Sequence, residues 1–283
     1  MKRNVLTTVL YGVGAALTAA AVVVQTIAML RCFEVGTNYF LIGATLPTVA
    51  ALLAILGAGL GTVGACLGGR VQPTHSPIAG KLYTALPCAL LFFATALLMP
   101  FLASGTEAAL GLRVPVLISC LLAGCYVLLC GLPSFRAAHP TAIALLGFSA
   151  PIACGLLNAY YYFDMSVEMN SPLKYCVQVA LLFAMLYFLG EIRFHINEPK
   201  PRLFLACAFC TLAAASMCAI AFPVAFFAGR FERADYLMGS LLMLGICVTI
   251  LFRVLPYLPI TPPRHTAEAS NPNETVKEDD TSV

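Results

Sequence analysis

The stretch that decides the fold is LYTALPCALLFFATALLMPFLA, residues 82–103, which contains no Asp, Glu, Lys or Arg. A helix rises about 1.5 Å per residue, so this run is long enough to cross a hydrocarbon layer about 30 Å thick. In lipid, only a helix or a closed barrel satisfies every backbone hydrogen-bonding group. The run lacks the alternation of apolar and polar residues that a barrel strand needs, and it therefore predicts a transmembrane helix.

The whole chain has the same character as this stretch. Of its 283 residues, 60% are hydrophobic and only 10% are charged, and the mean hydropathy is +0.90. An ordinary soluble domain carries about 25% charged residues. The composition therefore excludes a soluble enzyme, a nucleic-acid-binding protein, a disordered chain and a small disulfide-stapled domain. The formal net charge of +3 gives no reason to expect a polyanionic partner.

Uncharged runs of similar length recur along the chain between charged or Pro- and Gly-rich breaks. We predict one all-α domain over residues 1–259, an integral membrane helical bundle with eight transmembrane helices. The predicted spans are residues 5–30, 40–67, 82–103, 114–132, 141–163, 173–190, 203–229 and 236–255. Residues 260–283 are polar and rich in Pro, Asn and acidic side chains, and they are predicted to form a disordered cytoplasmic tail.

The distribution of Lys and Arg predicts the orientation of the spans. The termini and the loops that share their side carry eleven of these residues, and the opposite loops carry five. Because positively charged loops stay in the cytoplasm, both termini are predicted to be cytoplasmic, in a multi-pass protein of the cell membrane. The first run follows Lys2 and Arg3, as a secretory signal does, but it continues to Leu30 and therefore predicts a retained helix.

The most polar stretch near the membrane is the loop between the fifth and sixth predicted spans. Tyr160 to Phe163 are four consecutive aromatic residues, which match the interfacial belts of membrane proteins. The candidate ligand-binding residues of this region are Asp164, Glu168, Asn170, Lys174 and Gln178. If the loop were helical, Asp164 and Glu168 would share a face, and the set would line an outward-opening cavity for a cation or a polar solute. The alternative is a solvated loop in which one carboxylate simply pairs with Lys174.

Two short motifs suggest metal or redox chemistry without completing a site. Glu191 and His195 lie four residues apart, a spacing that on a helix presents both side chains to one metal ion or proton. No third ligand is present in the neighbouring sequence, so no metal site is predicted. Cys207 and Cys210 form a CxxC motif inside an apolar run, where thiols act as small packing residues. We therefore predict no cofactor.

Small residues repeat every four positions in the second predicted span. Gly57, Gly61 and Ala65 form a small-xxx-small face, which is typical of closely packed transmembrane helices. The glycines of this span also match a dinucleotide-binding pattern superficially, but no strand precedes them. We interpret the face as a helix-packing surface.

The residues that intramembrane proteolysis requires are not found within the predicted spans. No span carries two Asp residues or an HExxH motif, and the four histidines are assigned to loops or to the tail. Prolines at positions 47, 87, 151 and 223 fall within spans, where they are expected to bend the helices. Bent helices serve as hinges in many transporters, although membrane proteins also carry such prolines as static bends.

These features predict a non-enzymatic, transport-associated, permease-like protein for an unknown small solute. The alternative is a membrane sensor or an assembly subunit that acts through a partner protein. The expected partners are the lipid bilayer and, for the alternative, another protein or a second copy of the chain. Nucleic acid is not expected as a partner.

Overall fold

The computed structural model of the chain describes residues 2–34, 37–68, 82–102, 107–196, 198, 200–230 and 232–254. Within these ranges, eight helical segments are long and apolar enough to cross a membrane. They confirm the prediction of eight apolar helices and indicate a multi-pass membrane protein. The predicted tail, residues 260–283, lies outside the described residues.

The elements follow one another as helices, interrupted by one small hairpin. In chain order they are α1 (Lys2–Arg31), β1 (Phe33–Glu34), β2 (Tyr39–Phe40), α2 (Leu46–Leu67), α3 (Leu82–Leu102), α4 (Glu107–Gly111), α5 (Arg113–Cys130), α6 (Pro133–Ala138), α7 (Pro140–Gly147), α8 (Ser149–Phe163), α9 (Pro172–His195), α10 (Pro201–Phe227) and α11 (Ala234–Val254). The two strands pair antiparallel, with Phe33 opposite Phe40.

The second span begins at Leu46 rather than at the predicted residue 40. Phe40 belongs to the hairpin, where its ring lies edge-on against Phe33 with centroids 5.6 Å apart. Pro47 consequently lies in the first turn of α2, where a missing N–H removes no helical hydrogen bond. The expectation that Pro47 bends its helix is therefore wrong. The prolines at 87 and 223 do lie inside helices, α3 and α10.

The fifth span consists of two helices, α7 and α8, separated at Phe148. Pro151 has no N–H to donate to the carbonyl of Gly147, four residues earlier. At the break, the Phe148 N–H donates to the Leu145 carbonyl, and the Ser149 hydroxyl donates to the Leu146 carbonyl at 2.6 Å. Proline and local hydroxyl bonding together interrupt the helix here.

Six helices form a closed ring in which each contacts the next, in the order α3, α5, α8, α9, α10, α11 and back to α3. Helices α1 and α2 lie outside this six-helix ring, pack on each other and contact α10. Helix α11 is the most enclosed of the spans, with 67% of its most apolar stretch buried.

The interior of the ring is filled by apolar side chains that range in size from cysteine to phenylalanine, and the Phe92 ring of α3 lies 6.0 Å from the Phe188 ring of α9. Cys88, Cys120, Cys154 and Cys247 come from four different ring helices, and Cys88, Cys120 and Cys154 have no exposed surface. Their thiols are near enough to influence one another electrostatically. The 12 cysteines all lie in the described ranges, and no disulfide joins them there. The ring is therefore a packed core in this conformation.

Candidate functional site

Four charged side chains meet where α9 and α11 begin: Asp164, Lys174, Arg233 and Asp235, here called the Asp164 cluster. Arg233 Nη2 lies 2.7 Å from Asp164 Oδ2 and 2.6 Å from Asp235 Oδ2. Both carboxylates are fully buried, whereas the Arg233 side chain keeps 18% of its surface exposed. A buried carboxylate is tolerated only when it is paired and hydrogen-bonded, and Arg233 supplies both requirements to both acids.

Lys174 brings the second positive charge into this cluster. Its side chain is fully buried, and its Nζ donates to the backbone carbonyls of Asp164 at 2.7 Å and of Val167 at 3.2 Å. These bonds fix the loop between α8 and α9 in place. Two cations and two carboxylates balance one another, so the cluster is neutral as a whole.

The Asp164 cluster also contains two hydroxyl donors, and the guanidinium of Arg233 within it keeps its charge. Tyr160 donates to Asp235 Oδ2 at 3.0 Å, and Ser166 donates to Asp164 Oδ1 at 2.5 Å. Burial alone would lower the pKa of Arg233, but the hydrogen bond and charge of Asp235, followed by those of Asp164, raise this pKa above its ordinary value. Arg233 therefore stays charged and pairs with both carboxylates.

The structure brings together two of the five residues predicted to bind a ligand. Asp164 and Lys174 lie in the Asp164 cluster, whereas Glu168 and Asn170 are exposed and Gln178 is half-buried. The loop between α8 and α9 is not helical, so its two carboxylates do not share a helix face. Ligand binding by this set stays a prediction.

The loop between α8 and α9 also contacts the hairpin near the beginning of the chain. Ser171 donates its hydroxyl to the backbone carbonyl of Asn38 at 2.9 Å. A hydrogen bond to Glu168 raises the pKa of the Tyr39 hydroxyl above its ordinary value. The hairpin therefore anchors the loop that supplies Asp164.

Glu191 and Arg253 form a second buried ion pair, at the other ends of α9 and α11. Arg253 Nη1 donates to both carboxylate oxygens of Glu191, each at 2.5 Å. The Glu191 side chain is 0% exposed and that of Arg253 is 1% exposed. Glu191 follows Lys174 by 17 positions, which is about 26 Å of helix and close to the thickness of a bilayer core.

The ion pair has further polar neighbours, and we call the whole group the Arg253 cluster. His195 Nε2 lies 3.4 Å from the Tyr126 hydroxyl and 3.7 Å from Cys130 Sγ. The sequence predicts a loop position for His195, but His195 is the last residue of α9 and is only 9% exposed. The residues Cys130, Glu191 and His195 offer three ligand atoms that all lie within 4.8 Å of one another.

Three buried donors in or beside the Arg253 cluster lack a hydrogen-bond acceptor within the described ranges. The Nε and Nη2 atoms of Arg253 and the hydroxyl of Tyr187 are buried, and within the described ranges they make no hydrogen bond of acceptable geometry. Buried donors without an acceptor cost free energy. The cluster is therefore less completely satisfied than the Asp164 cluster.

The predicted packing face lies where α2 meets its neighbours. A Cβ on Gly57 would come within 2.6 Å of Thr18 Oγ1 in α1, and a Cβ on Gly61 would come within 2.6 Å of the Phe209 ring in α10. Ala65 has no exposed surface. The absence of a side chain at the two glycines is what allows these helices to approach so closely.

The CxxC motif lies at a helix contact as well. Cys210 Sγ is 3.8 Å from Thr62 Oγ1 of α2, and Cys207 is half-buried. Both thiols lie in apolar surroundings, and we interpret Cys207 and Cys210 as small packing residues between helices.

Sequence reasoning did not find the pairing of these clusters, although the sequence carries a signal for it. Helix α9 begins with basic Lys174 and ends near acidic Glu191, whereas α11 begins with acidic Asp235 and ends near basic Arg253. When two such helices lie in the same direction, opposite charges come to the same side of the bundle at both ends. At one end Glu191 and Arg253 pair directly, whereas at the other Lys174 bonds backbone carbonyls and Asp235 pairs with Arg233. Complementary charges that bracket two apolar runs of similar length are thus the pattern to search for.

No protein-family model, no curated protein and no solved structure matches this chain. Its function has to be inferred from the geometry of the two clusters and of the ring that joins them.

Proposed function

We propose that the chain is a transport-associated, permease-like membrane protein whose solute path runs through the six-helix ring. The observation that carries this proposal is the pair of buried ionic clusters at the two ends of α9 and α11. Ionisable groups within membrane spans cost free energy and typically mark substrate paths and their gates. Each cluster joins several ring helices: α8, α9 and α11 at one end, and α5, α9 and α11 at the other.

The two clusters are placed to act as closures of one path. Between them, the ring interior holds thiols such as Cys88 and Cys247 together with apolar side chains that include Phe92 and Phe188. These side chains would have to move apart for a solute to pass. Opening the Arg253 cluster while the Asp164 cluster stays closed would expose the interior to one side of the membrane. Opening the Asp164 cluster instead would expose it to the other side. This is alternating access, the usual mechanism of secondary transporters.

The proposed orientation places the Arg253 cluster at the cytoplasmic side. Eight spans are an even number, so both ends of the spanning region lie on one side of the membrane. The excess of Lys and Arg in the loops of that side assigns it to the cytoplasm. The Asp164 cluster then faces the outside of the cell membrane.

The experiment probes the path without knowledge of the solute. The full chain is placed in two preparations of sealed vesicles, one with its cytoplasmic side outward and one with the opposite side outward. Both are treated with a membrane-impermeant maleimide. Labelling of Cys88 is then measured by peptide mass spectrometry. Cys88 is fully buried and lies near both members of the Glu191–Arg253 pair. The double variant Glu191→Gln/Arg253→Gln removes both charges together, so that neither is left buried alone.

We expect Cys88 of the double variant to be labelled at least about tenfold faster from the cytoplasmic side than in the wild type, and not from the other side. The matched control is Arg193→Gln/Glu198→Gln, which removes an exposed ion pair beyond Glu191 on the same side of the bundle. If folded double variant and wild type are labelled equally slowly, the path does not exist, and the sensor or assembly role is favoured instead.

A further inference from the structure

Three metal-ligating side chains of the Arg253 cluster meet although they are distant in sequence. Cys130 ends α5, whereas Glu191 and His195 lie one turn apart at the end of α9. We propose that these three residues form a binding site for one divalent transition-metal ion of the Zn²⁺ class. The site does not depend on the proposed transport function, because it would join α5 to α9 in either case.

The distances between the ligand atoms suit such an ion. Typical Zn–S and Zn–N bonds of about 2.3 and 2.0 Å, at a tetrahedral angle, separate the sulfur from the nitrogen by about 3.5 Å. The observed separation of Cys130 Sγ from His195 Nε2 is 3.7 Å. All three ligand atoms lie within 4.8 Å of one another, so only a small inward movement of the carboxylate is needed.

The donor set selects the class of metal. A thiol, an imidazole and a carboxylate together favour Zn²⁺ and its neighbours in the first transition series, whereas Ca²⁺ and Mg²⁺ require oxygen ligands throughout. On binding, the thiol of Cys130 loses its proton to solvent, and its thiolate offsets one of the two charges of the ion. The carboxylate of Glu191 is then shared between the ion and Arg253. Glu191 binds the metal through one oxygen.

Arg253 has a defined role in this arrangement. While one oxygen of Glu191 contacts the metal, the other keeps its hydrogen bond from Arg253 Nη1. Ligating carboxylates in metal sites are commonly held in this way by an outer hydrogen-bond donor, which orients them. The ion pair is therefore compatible with the metal and fixes the carboxylate for it.

The test uses the full chain, purified in detergent, stripped with a chelator and titrated with Co²⁺ alone as a spectroscopic probe. We expect one equivalent to bind with a thiolate-to-cobalt charge-transfer band in the near ultraviolet, and Zn²⁺ to displace it. Cys130→Ser should abolish the band. His195→Asn should weaken Co²⁺ binding by more than about tenfold.

Matched controls come from the same part of the chain. Cys125→Ser changes an exposed thiol on the same helix as Cys130, and His139→Asn changes an exposed imidazole, so both should bind Co²⁺ as the wild type does. The proposal is overturned if the wild type binds no stoichiometric metal or if the band survives in Cys130→Ser.

Discussion

Arg253 of α11 and Glu191 of α9 share two hydrogen bonds of 2.5 Å across 62 positions of sequence, with almost no exposed surface on either side chain. The pair joins the two helices at one end, and the Asp164 cluster joins the same helices at the other end. Because both contacts are electrostatic and buried, the loss of one charge should have a much larger effect than the loss of two matched charges.

Glu191→Gln leaves the guanidinium of Arg253 buried without its counter-charge. We expect the free energy of unfolding to fall by about 3–5 kcal/mol, and the double variant Glu191→Gln/Arg253→Gln to recover most of that loss. Thermal unfolding in detergent measures both variants. A single variant as stable as the double variant would show that the two charges do not stabilise each other.

Asp164→Asn removes the charge that links Arg233 to the loop between α8 and α9. Since Asp235 still pairs with Arg233, we expect a moderate loss of about 1–3 kcal/mol in unfolding free energy. The control is Glu168→Gln in the same loop, where the side chain is exposed and the change should stay within about 0.5 kcal/mol. Equal effects of the two substitutions in a chemical-denaturation series would contradict the assignment of Asp164 to the cluster.

Gly57→Ala places a methyl group 2.6 Å from Thr18 Oγ1 and 2.9 Å from the backbone oxygen of Gly14. Because backbone cannot move aside cheaply, α1 and α2 must separate, and we expect a loss of about 1–3 kcal/mol in thermal stability measurements. Gly59→Ala is the matched control, since its Cβ meets nothing within 4 Å. It should be neutral or slightly stabilising because alanine favours the helix. Equal losses in the two variants would contradict the assignment of Gly57 to a close helix contact.

Tyr39 should titrate above its ordinary pKa of 10.0, since its hydrogen bond to Glu168 favours the neutral phenol. The stabilisation from this bond is present below pH 10 and is lost as the pH rises through the folded-state pKa. The measurement is the tyrosinate absorbance difference between wild type and Tyr39→Phe. Glu168→Gln should move the Tyr39 midpoint downward, and an unchanged midpoint would rule out the carboxylate as the cause.

A reporter that is active only in the cytoplasm should be active when it is fused after the last residue of the chain. The same reporter inserted after Met169, in the loop between α8 and α9, should be inactive, because the proposed orientation places that loop outside. The opposite pair of results would invert the orientation and would exchange the sides assigned to the two clusters.

The eight apolar helices could be predicted because each is encoded by a continuous run of its own residues. The start of α2 could not, since Tyr39 and Phe40 join the hairpin only through their pairing with Phe33 and Glu34. Local hydrophobicity is the same in a strand and in the beginning of a span, and only the partner strand distinguishes them.

The candidate site was harder to predict because its parts are distant in sequence. Glu191 and His195 share a helix and were found by their spacing, whereas Cys130 and Arg253 reach them from other helices. Lys174 lies near Asp164, but its partners there are backbone carbonyls, which no side-chain pattern encodes. The helix order around the ring determines these contacts, and the sequence alone does not reveal that order.

Helix α11 has a consequence for biogenesis. It is the last of the described long helices to leave the ribosome, yet it fills the gap between α3 and α10 and carries Asp235 and Arg253. Until α11 inserts, the nascent bundle has a gap between α3 and α10, and the carboxylate of Glu191 lacks the guanidinium of Arg253. Translation that stops before α11 should therefore leave a product that cellular quality control recognises and degrades, whatever the state of the seven preceding spans.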